Sequence, residues 1–368
     1  MSNGVAAQTS RKNIDLRYAQ QPTPSGLRYG IVEVTTKCQC RCPGCYMVRR
    51  SALNQGEMSI KQSFEVLDLC RDYCGRELET MDILGGEPLL WPYLQEYVEV
   101  LLRRGIQPWV FTNMLSITPD LARWLFERQV HITGKLNVAN PNNPEQLQLQ
   151  ATMIGTSTAT ARKMFQSIDI FLTAGYRDPL FRLQNLIRKS NLPLVPDYIV
   201  YCRSRNIGVD LELMASGEPV GPDYFEIAPS AEELAGLIRE LERRGQGWSA
   251  PTQDPPPEFV NPRDKLLMPH LFGSCPFFDR GLYFGVDGHI RACSNSTQTL
   301  ARVTDSDPIK TAFESELICN RLCLTQLTVG EPCHSCDRWE KCRGGCRATI
   351  EGQGDPNGGY SLCPLPYL

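Results

Sequence analysis

The sequence predicts an α/β fold in which a partial (β/α)6 TIM-like barrel precedes a small cysteine-rich domain. Between residues 29 and 245, short apolar runs alternate with segments whose apolar residues have helical spacing. This alternation is typical of βα units that build a parallel sheet. Six such units fall short of the eight that close a full barrel. After residue 262 the alternation stops and cysteines become frequent.

Each predicted strand of the barrel is followed by a loop and a helical segment. The predicted strands are residues 31–34, 81–84, 109–111, 131–138, 181–187 and 208–214. The predicted helices are residues 63–74, 93–102, 121–126, 160–172, 198–205 and 231–243. The polar loops that follow the strands meet at one end of such a barrel, which is where we expect a functional site.

The composition divides the chain into four parts. Residues 1–28 form a polar N-terminal arm, and residues 29–245 form the predicted barrel. Residues 246–262 are rich in proline and polar residues, as in a linker. Residues 263–368 form the cysteine-rich tail, whose weak apolar periodicity predicts that metal stabilises it.

Charge and hydropathy argue against nucleic-acid and membrane partners. The formal net charge is −3, and 42% of the residues are hydrophobic. Neither a secretion signal nor an apolar run long enough to span a bilayer is visible in the sequence. We therefore expect a cytoplasmic protein. In that reducing compartment, 16 cysteines indicate metal binding more than disulfides.

A dense group of cysteines follows the first predicted strand. Cys38, Cys42 and Cys45 have C-x3-C-x2-C spacing, and Cys40 lies between them. Three thiolates can hold three irons of a [4Fe–4S] cube and leave the fourth iron open. The alternative is structural zinc, which usually takes four ligands from two C-x2-4-C pairs. Four cysteines within eight residues would strain such a site, so the spacing favours the iron–sulfur cube over zinc.

The segments after the next strands carry further motifs. Gly85-Gly86-Glu87-Pro88 follows the second strand, and Thr112-Asn113 ends the third. Lys135 and Asn137 lie at the end of the fourth strand. Together with the triplet, these motifs resemble the radical S-adenosylmethionine superfamily over residues 29–245. The resemblance implies that S-adenosylmethionine binds the open iron, with its amino group at the Gly85–Pro88 segment and its ribose and carboxylate near Lys135 and Asn137.

This chain departs from the family pattern at three positions. Met114 stands where the family commonly has glycine, in T-N-G. Gly44 replaces the aromatic residue that lies beside adenine in the family, so Tyr46 or a later barrel residue would have to cover the adenine. Cys40 is an extra cysteine, which we expect not to be a ligand.

The tail resembles the seven-cysteine SPASM extension of some radical S-adenosylmethionine enzymes. That resemblance implies two auxiliary [4Fe–4S] clusters, and hence three clusters in all. An outer cluster would be held by Cys333, Cys336, Cys342 and Cys363, and an inner one by Cys275, Cys293 and Cys346. A zinc ribbon is the alternative. For the fourth iron of the inner cluster, the sequence leaves open Cys319 or Cys323, Asp279, or no protein ligand.

The resemblance implies an oxidoreductase-type enzyme that splits S-adenosylmethionine into methionine and a 5′-deoxyadenosyl radical, which abstracts hydrogen from an unactivated C–H bond. An external one-electron donor such as flavodoxin or ferredoxin would supply the electron. His289 is the candidate base, since Ser294 stands where sulfatase-modifying relatives have an aspartate.

Two substrate classes fit this chemistry. Only 37 residues precede Cys38, too few for the leader-binding domain of many peptide-modifying relatives. The sequence therefore favours oxidation or epimerisation of a small metabolite, such as an amino sugar, in natural product biosynthesis. A crosslink, thioether or residue oxidation in a ribosomal peptide is the alternative. A non-catalytic iron–sulfur electron carrier or a zinc scaffold is the alternative outside enzymes.

Overall fold

Six parallel strands form the barrel sheet, as the sequence predicts. The computed structural model describes residues 26–49, 54–215, 224–246, 275, 277 and 280–368. The barrel strands are β1 (Tyr29–Thr35), β2 (Thr80–Gly85), β3 (Gln107–Thr112), β4 (His131–Lys135), β5 (Phe181–Ile187) and β6 (Gly208–Leu213). Each of β1 to β5 pairs in parallel with the next strand in the chain. The α/β class and the partial barrel are thus confirmed.

Helices connect the strands and continue into the tail. In the barrel they are α1 (Tyr46–Arg49), α2 (Ile60–Cys74), α3 (Leu94–Arg103), α4 (Pro119–Glu127), α5 (Pro144–Ile154), α6 (Thr158–Thr173), α7 (Val195–Ser204), α8 (Tyr224–Ile227) and α9 (Ala231–Arg243). In the tail they are α10 (Pro308–Phe313), α11 (Glu316–Cys323), α12 (Trp339–Cys342) and α13 (Arg347–Gly352). Within the described ranges, none of these helices combines the length and apolarity needed to cross a membrane.

Helix α5 is absent from the sequence prediction. The helix begins with the largely polar sequence PEQLQLQ. On one of its faces, however, Leu147, Ala151 and Ile154 are buried. The helix begins at a capping side chain, Asn143, and ends at Gly155 in the left-handed conformation. The sequence analysis missed it because only a few apolar residues mark that face.

The tail adds three strands to the sheet at the β1 edge. They are β7 (Gly281–Phe284), β8 (His289–Arg291) and β9 (Ala301–Arg302). Strand β7 pairs in parallel with β1, and β8 and β9 follow as antiparallel strands. The sheet order is therefore β6-β5-β4-β3-β2-β1-β7-β8-β9. All four residues of β7 are buried, so apolar packing also holds the tail, which the sequence analysis did not anticipate.

The two faces of the barrel strands have different environments. Val32, Ile83, Val110 and Ile132 are paired across neighbouring strands, and each is 0% exposed. Their strand neighbours, such as Asp82, point the opposite way and line the interior. One face therefore packs in the hydrophobic core, and the other supplies the walls of a cavity.

Gly155 places α5 directly against the loop that carries the front cysteines. Arg41 in that loop donates from its backbone nitrogen to the Ile154 carbonyl, at 3.0 Å. A Cβ atom on Gly155 would overlap the Arg41 carbonyl oxygen. The contact requires glycine at this helix end.

We expect Gly155→Ala to lower the midpoint of thermal unfolding more than the control Gly75→Ala. Both glycines end a helix at positive φ, +62° for Gly155 and +67° for Gly75. Alanine in this conformation costs roughly 1–2 kcal/mol at either position. Only Gly155 adds the overlap with Arg41, because a Cβ on Gly75 would meet no atom within 4 Å. Equal losses of thermal stability in the two variants would contradict this account.

Candidate active site

One cavity joins the interior of the barrel to the tail. Its volume is about 390 Å³. The cysteines that line it are Cys38, Cys40, Cys42 and Cys45 from the loop after β1 and Cys275, Cys293 and Cys346 from the tail. The structure therefore brings the front triplet and the proposed inner trio to the same enclosed space.

Glu87 organises the loops at the front of this cavity. Its side chain is 0% exposed, and one oxygen, Oε1, accepts from Thr112 Oγ1 at 2.6 Å and from the Leu89 backbone nitrogen at 3.0 Å. The other oxygen, Oε2, accepts from the Asn113 backbone nitrogen at 2.6 Å. Burial raises the pKa of Glu87 to about 7, against the lowering effect of these donors. Glu87 thus ties the β2 and β3 loops together.

Gly85 and Gly86 allow the same segment to contact the cysteine loop through backbone atoms. Gly86 donates to the Thr35 carbonyl and Glu87 donates to the Lys37 carbonyl, both at 2.7 Å from the backbone nitrogen. A Cβ on either glycine would overlap a backbone oxygen of Thr35 or Lys37. Both glycines line the cavity, so their backbone is also accessible to a ligand.

Cys40 lies between two of the predicted ligands. Hydrogen bonds to Cys38 and Cys42, together with burial, raise the pKa of Cys40. The same hydrogen bonds lower the pKa of Cys38 and Cys42. Cys40 is 3% exposed and belongs to the hydrophobic core. This arrangement makes Cys40 a thiol donor to its neighbours, which fits the expectation that it is not a ligand.

The remaining predicted cofactor residues surround the triplet. Asn113 directs Nδ2 toward Cys38 Sγ at 3.6 Å and toward Cys40 Sγ at 3.7 Å. Lys135 donates from Nζ to Gln184 Oε1 at 3.0 Å, and its charge lowers the pKa of Cys42. Asn137 is 2% exposed, and its Oδ1 accepts from the Leu186 backbone nitrogen at 3.0 Å. Asn113, Lys135 and Asn137 all line the cavity.

Two methionines pack on glycine residues where the chain departs from the family pattern. Gly44 lies under Met214, which follows β6, and a Cβ on Gly44 would approach Met214 Sδ to 2.9 Å. Met214 is 4% exposed and lines the cavity. Met114 has a φ of +67° and packs on Gly134. Sequence reasoning missed both pairs because the partners are far apart in the chain.

Strands β4 to β6 give the barrel interior a row of polar side chains. Lys135, Gln184 and Asp210 are paired across the three strands, and Glu212 lies 3.6 Å from Lys135 Nζ. Burial raises the pKa of Asp210 to about 6. All four residues line the cavity. This wall can donate and accept hydrogen bonds, and it suits a polar ligand.

The inner trio of the tail, Cys275, Cys293 and Cys346, lines the cavity. Burial, followed by repulsion from Cys293 and Cys346, raises the pKa of Cys275. Burial and the neighbouring Cys293 raise the pKa of Cys346 to about 11. Buried thiols of this kind stay protonated until a metal ion displaces the proton.

The outer four cysteines form a separate group. Burial raises the pKa of Cys363 to about 11, with further contributions from Cys342, Cys333 and Cys336. Cys333 Sγ accepts from the Tyr360 backbone nitrogen at 3.3 Å, and Cys336 Sγ accepts from the Arg338 backbone nitrogen at 3.4 Å. Such N–H donors stabilise thiolates and tune iron–sulfur clusters.

The sequence leaves iron–sulfur clusters and zinc as alternatives for these cysteines. Among the described residues, no three side chains of His, Cys, Asp or Glu are arranged to hold one metal ion. Zinc needs its four ligands around one centre, whereas each thiolate of a [4Fe–4S] cube binds a different iron. The choice between the two metals therefore belongs to the proposal below.

His289 and the spare tail cysteines lie away from the cavity lining. His289 Nδ1 is 3.3 Å from Asp287 Oδ2 and 3.3 Å from Thr299 Oγ1, and it has no place in the cavity wall. The geometry gives no support to its predicted role as base. Cys319 and Cys323 also stay outside the wall, whereas Asp279 lies outside the described residues.

Comparisons with known proteins found one curated relative and several solved structures of similar fold. No protein-family model matches the chain. A curated relative is the tungsten-containing aldehyde ferredoxin oxidoreductase cofactor-modifying protein of Pyrococcus furiosus, 23% identical over 218 residues. The match covers 58% of this chain and 59% of the relative, so it spans less than two thirds of that protein.

Two solved proteins share nearly the whole architecture. SuiB of Streptococcus suis is 16% identical, has a TM-score of 0.64, and aligns over 92% of this chain and 77% of its own. The structure of anSMEcpe with bound AdoMet and Cp18Cys peptide is 14% identical, has a TM-score of 0.64, and aligns over 92% of this chain and 94% of its own. SuiB has also been solved with S-adenosylmethionine and with the precursor peptide SuiA.

At these identities the likeness establishes the fold. It is the fold of proteins whose structures hold S-adenosylmethionine. The resemblance to radical S-adenosylmethionine proteins that the sequence predicts is confirmed at the level of the fold.

We expect Glu87→Gln to lower the free energy of unfolding by about 1–3 kcal/mol, because either amide orientation turns an NH2 group toward a backbone N–H donor. Chemical denaturation measures the change. The control Glu99→Gln loses a half-exposed ion pair with Arg128, at 2.6 Å, and should cost below about 1 kcal/mol. A variant at position 87 as stable as this control would show that the three donors do not depend on the carboxylate.

Proposed function

We propose that this chain is a radical S-adenosylmethionine enzyme that modifies a peptide and carries three [4Fe–4S] clusters. The observation that carries the proposal is the single cavity lined by Cys38, Cys42 and Cys45 on one side and by Cys275, Cys293 and Cys346 on the other. A substrate in this space would lie between the source of the radical and an electron acceptor.

In this proposal, Cys38, Cys42 and Cys45 hold three irons of the front cluster and leave one for S-adenosylmethionine. Once loaded, this centre supplies a 5′-deoxyadenosyl radical that takes hydrogen from a C–H bond. The chain supplies the binding groups: the backbone of Gly85 and Gly86, and the side chains at the ends of β3 and β4. A substrate that fills the space between the strand ends and the tail would keep water and stray hydrogen donors from the reacting carbon.

Met214 and Tyr46 are the groups we assign to the adenine side. Met214 fills the space above Gly44, and its polarisable thioether makes favourable contacts with aromatic rings. The hydroxyl group of Tyr46 donates to the Gly85 carbonyl at 3.0 Å, which fixes its ring beside the glycine pair. These residues replace the aromatic side chain that the family has at the position of Gly44.

The tail cysteines are assigned to two auxiliary clusters. Cys333, Cys336, Cys342 and Cys363 would hold the outer one with four thiolates. Cys275, Cys293 and Cys346, which line the cavity, would hold the inner one. A cluster at this place would supply a one-electron acceptor beside the substrate, which would suit a net oxidation or a crosslink. An external one-electron donor starts each turnover.

A peptide substrate has better support than the small metabolite that the sequence favoured. The proteins of similar fold were solved with a precursor peptide or with the Cp18Cys peptide. The cavity of about 390 Å³ would also hold S-adenosylmethionine, so only a small part of a peptide would enter it and the rest would stay outside. The polar wall of Lys135, Gln184, Asp210 and Glu212 would fix the orientation of such a side chain.

We expect Cys42→Ala to abolish the release of 5′-deoxyadenosine, because the front cube then loses one of its three thiolates. The assay uses anaerobic protein reconstituted with iron and sulfide, reduced with dithionite, and follows the nucleoside by chromatography. Cys74→Ala is the matched control, since this thiol lies outside the cavity wall and contacts the Leu27 carbonyl at 3.6 Å. Sustained nucleoside release by Cys42→Ala would refute its role as a ligand.

We expect Cys336→Ala to keep part of this cleavage and to lose the modified peptide, because the outer cluster serves the later electron transfer. Peptides encoded beside the gene are incubated with the reduced enzyme, and mass spectrometry records the loss of two hydrogen atoms. Iron analysis of the wild type should give about twelve irons per chain, four for each cube. A value of about four irons per chain would contradict the two auxiliary clusters. If sugars gave a product and peptides did not, the substrate would be a small metabolite.

A further inference from the structure

A buried arginine lies against the inner trio of cysteines. Arg321, in helix α11, is 3% exposed, and its Nη1 donates to the Phe277 carbonyl at 3.3 Å, two residues after Cys275. Arg321, Cys275, Cys293 and Cys346 all line the common cavity. The guanidinium group is therefore a neighbour of the inner trio.

Glu351 fixes the position of this guanidinium group. Arg321 Nε donates to Glu351 Oε1 at 2.6 Å, and Nη2 donates to Oε2 at 2.7 Å. Burial lowers the pKa of Arg321, but the hydrogen bonds and the charge of Glu351 outweigh it, so Arg321 remains a cation. A bidentate pair of this kind holds the planar fork in one orientation.

A second buried cation lies between the inner and outer groups. Arg347 directly follows Cys346, is 3% exposed, and interacts electrostatically with Cys333, Cys346 and Glu351. Its Nη1 donates to the Gly358 carbonyl at 3.1 Å. Glu351 is ion-paired with Arg321, while Arg347 is hydrogen-bonded to a backbone carbonyl and adds a second positive charge near the thiols.

In helix α11, Arg321 faces the inner trio, and the neighbouring cysteines do not. Cys319 and Cys323 precede and follow it by two residues, which places them on the other side of the helix. Cys319 Sγ contacts the Phe313 carbonyl at 3.9 Å, and neither cysteine lines the cavity. The helix therefore presents a positive charge where the sequence analysis considered a fourth thiolate.

We infer that Arg321, held in place by its ion pair with Glu351, raises the reduction potential of the inner cluster. The cluster is then reduced more readily and can accept an electron from the substrate. The inference rests on the proposed function, because it requires a cluster on Cys275, Cys293 and Cys346. Reduction adds one negative charge to the cluster, and a buried cation favours that charge strongly where water does not screen it. Arg321 acts through the cluster and is a positioning residue.

Anaerobic redox titration of the reconstituted full chain, followed by electron paramagnetic resonance, tests the inference. The front cluster is identified because its signal changes on addition of S-adenosylmethionine. At the midpoint potential of the wild-type inner cluster, we expect R321Q to lower the reduced-to-oxidised ratio tenfold or more. Tenfold corresponds to about 59 mV for a one-electron couple. R321K keeps the charge and should stay close to the wild type.

E351Q separates an electrostatic role from a structural one. Losing the carboxylate removes a negative charge near the cluster, so its potential should rise, opposite to R321Q. If the pair served only to hold α11 against α13, R321Q and E351Q would shift the potential of the inner cluster in the same direction. The control R302Q alters an exposed arginine on β9 and should leave the titration unchanged.

Three outcomes would overturn the inference. They are an unchanged inner-cluster potential in R321Q, shifts of the same sign in R321Q and E351Q, and loss of the inner cluster from R321Q, which would make the arginine a structural residue. A wild-type protein without any inner-cluster signal is a different result, because it refutes the proposed function itself.

Discussion

The parallel pairing of β7 with β1 is the constraint on which the site depends. All seven residues of β1 are buried, so its outer edge cannot leave backbone N–H and C=O groups without partners. Strand β7 supplies partners in register from Tyr29↔Gly281 to Val32↔Phe284. The cysteine loop begins where β1 ends, and Cys275 and Cys293 of the inner trio flank the β7–β8 hairpin. One strand pairing therefore brings both groups to one cavity.

Local spacing allowed the sequence to predict the six barrel strands and most of their helices. Contacts between segments that are far apart in the chain could not be predicted from the sequence. Strand β7 is only four residues long, and its burial depends on β1, from which it is separated by the whole barrel. The partner of Gly44 is likewise Met214 at the far end of the barrel. A single sequence shows that an aromatic side chain is missing at position 44 but does not show what fills the space.

Motif residues in this site divide into those that face the ligand space and those that hold it in shape. The resemblance assigns Glu87 to the cofactor segment, yet its carboxylate already accepts from Thr112, Leu89 and Asn113. Its backbone neighbours Gly85 and Gly86 remain in the cavity wall. The glutamate therefore maintains the distance between two loops. A motif identifies such residues together, and only the contacts separate their roles.

Buried cations accompany the thiols lining the cavity and those of the outer group. Lys135 and Arg188 interact with Cys42, Arg321 interacts with the inner trio, and Arg347 lies between the inner and outer groups. Clusters held by thiolates carry net negative charge, and burying that charge is costly without compensation nearby. The cations and the cysteines thus form one electrostatic unit. Cysteine spacing is visible in a sequence, so the sequence could predict the ligands. Charge compensation depends on residues that only the fold brings together, so the sequence could not predict the cations beside the cysteines.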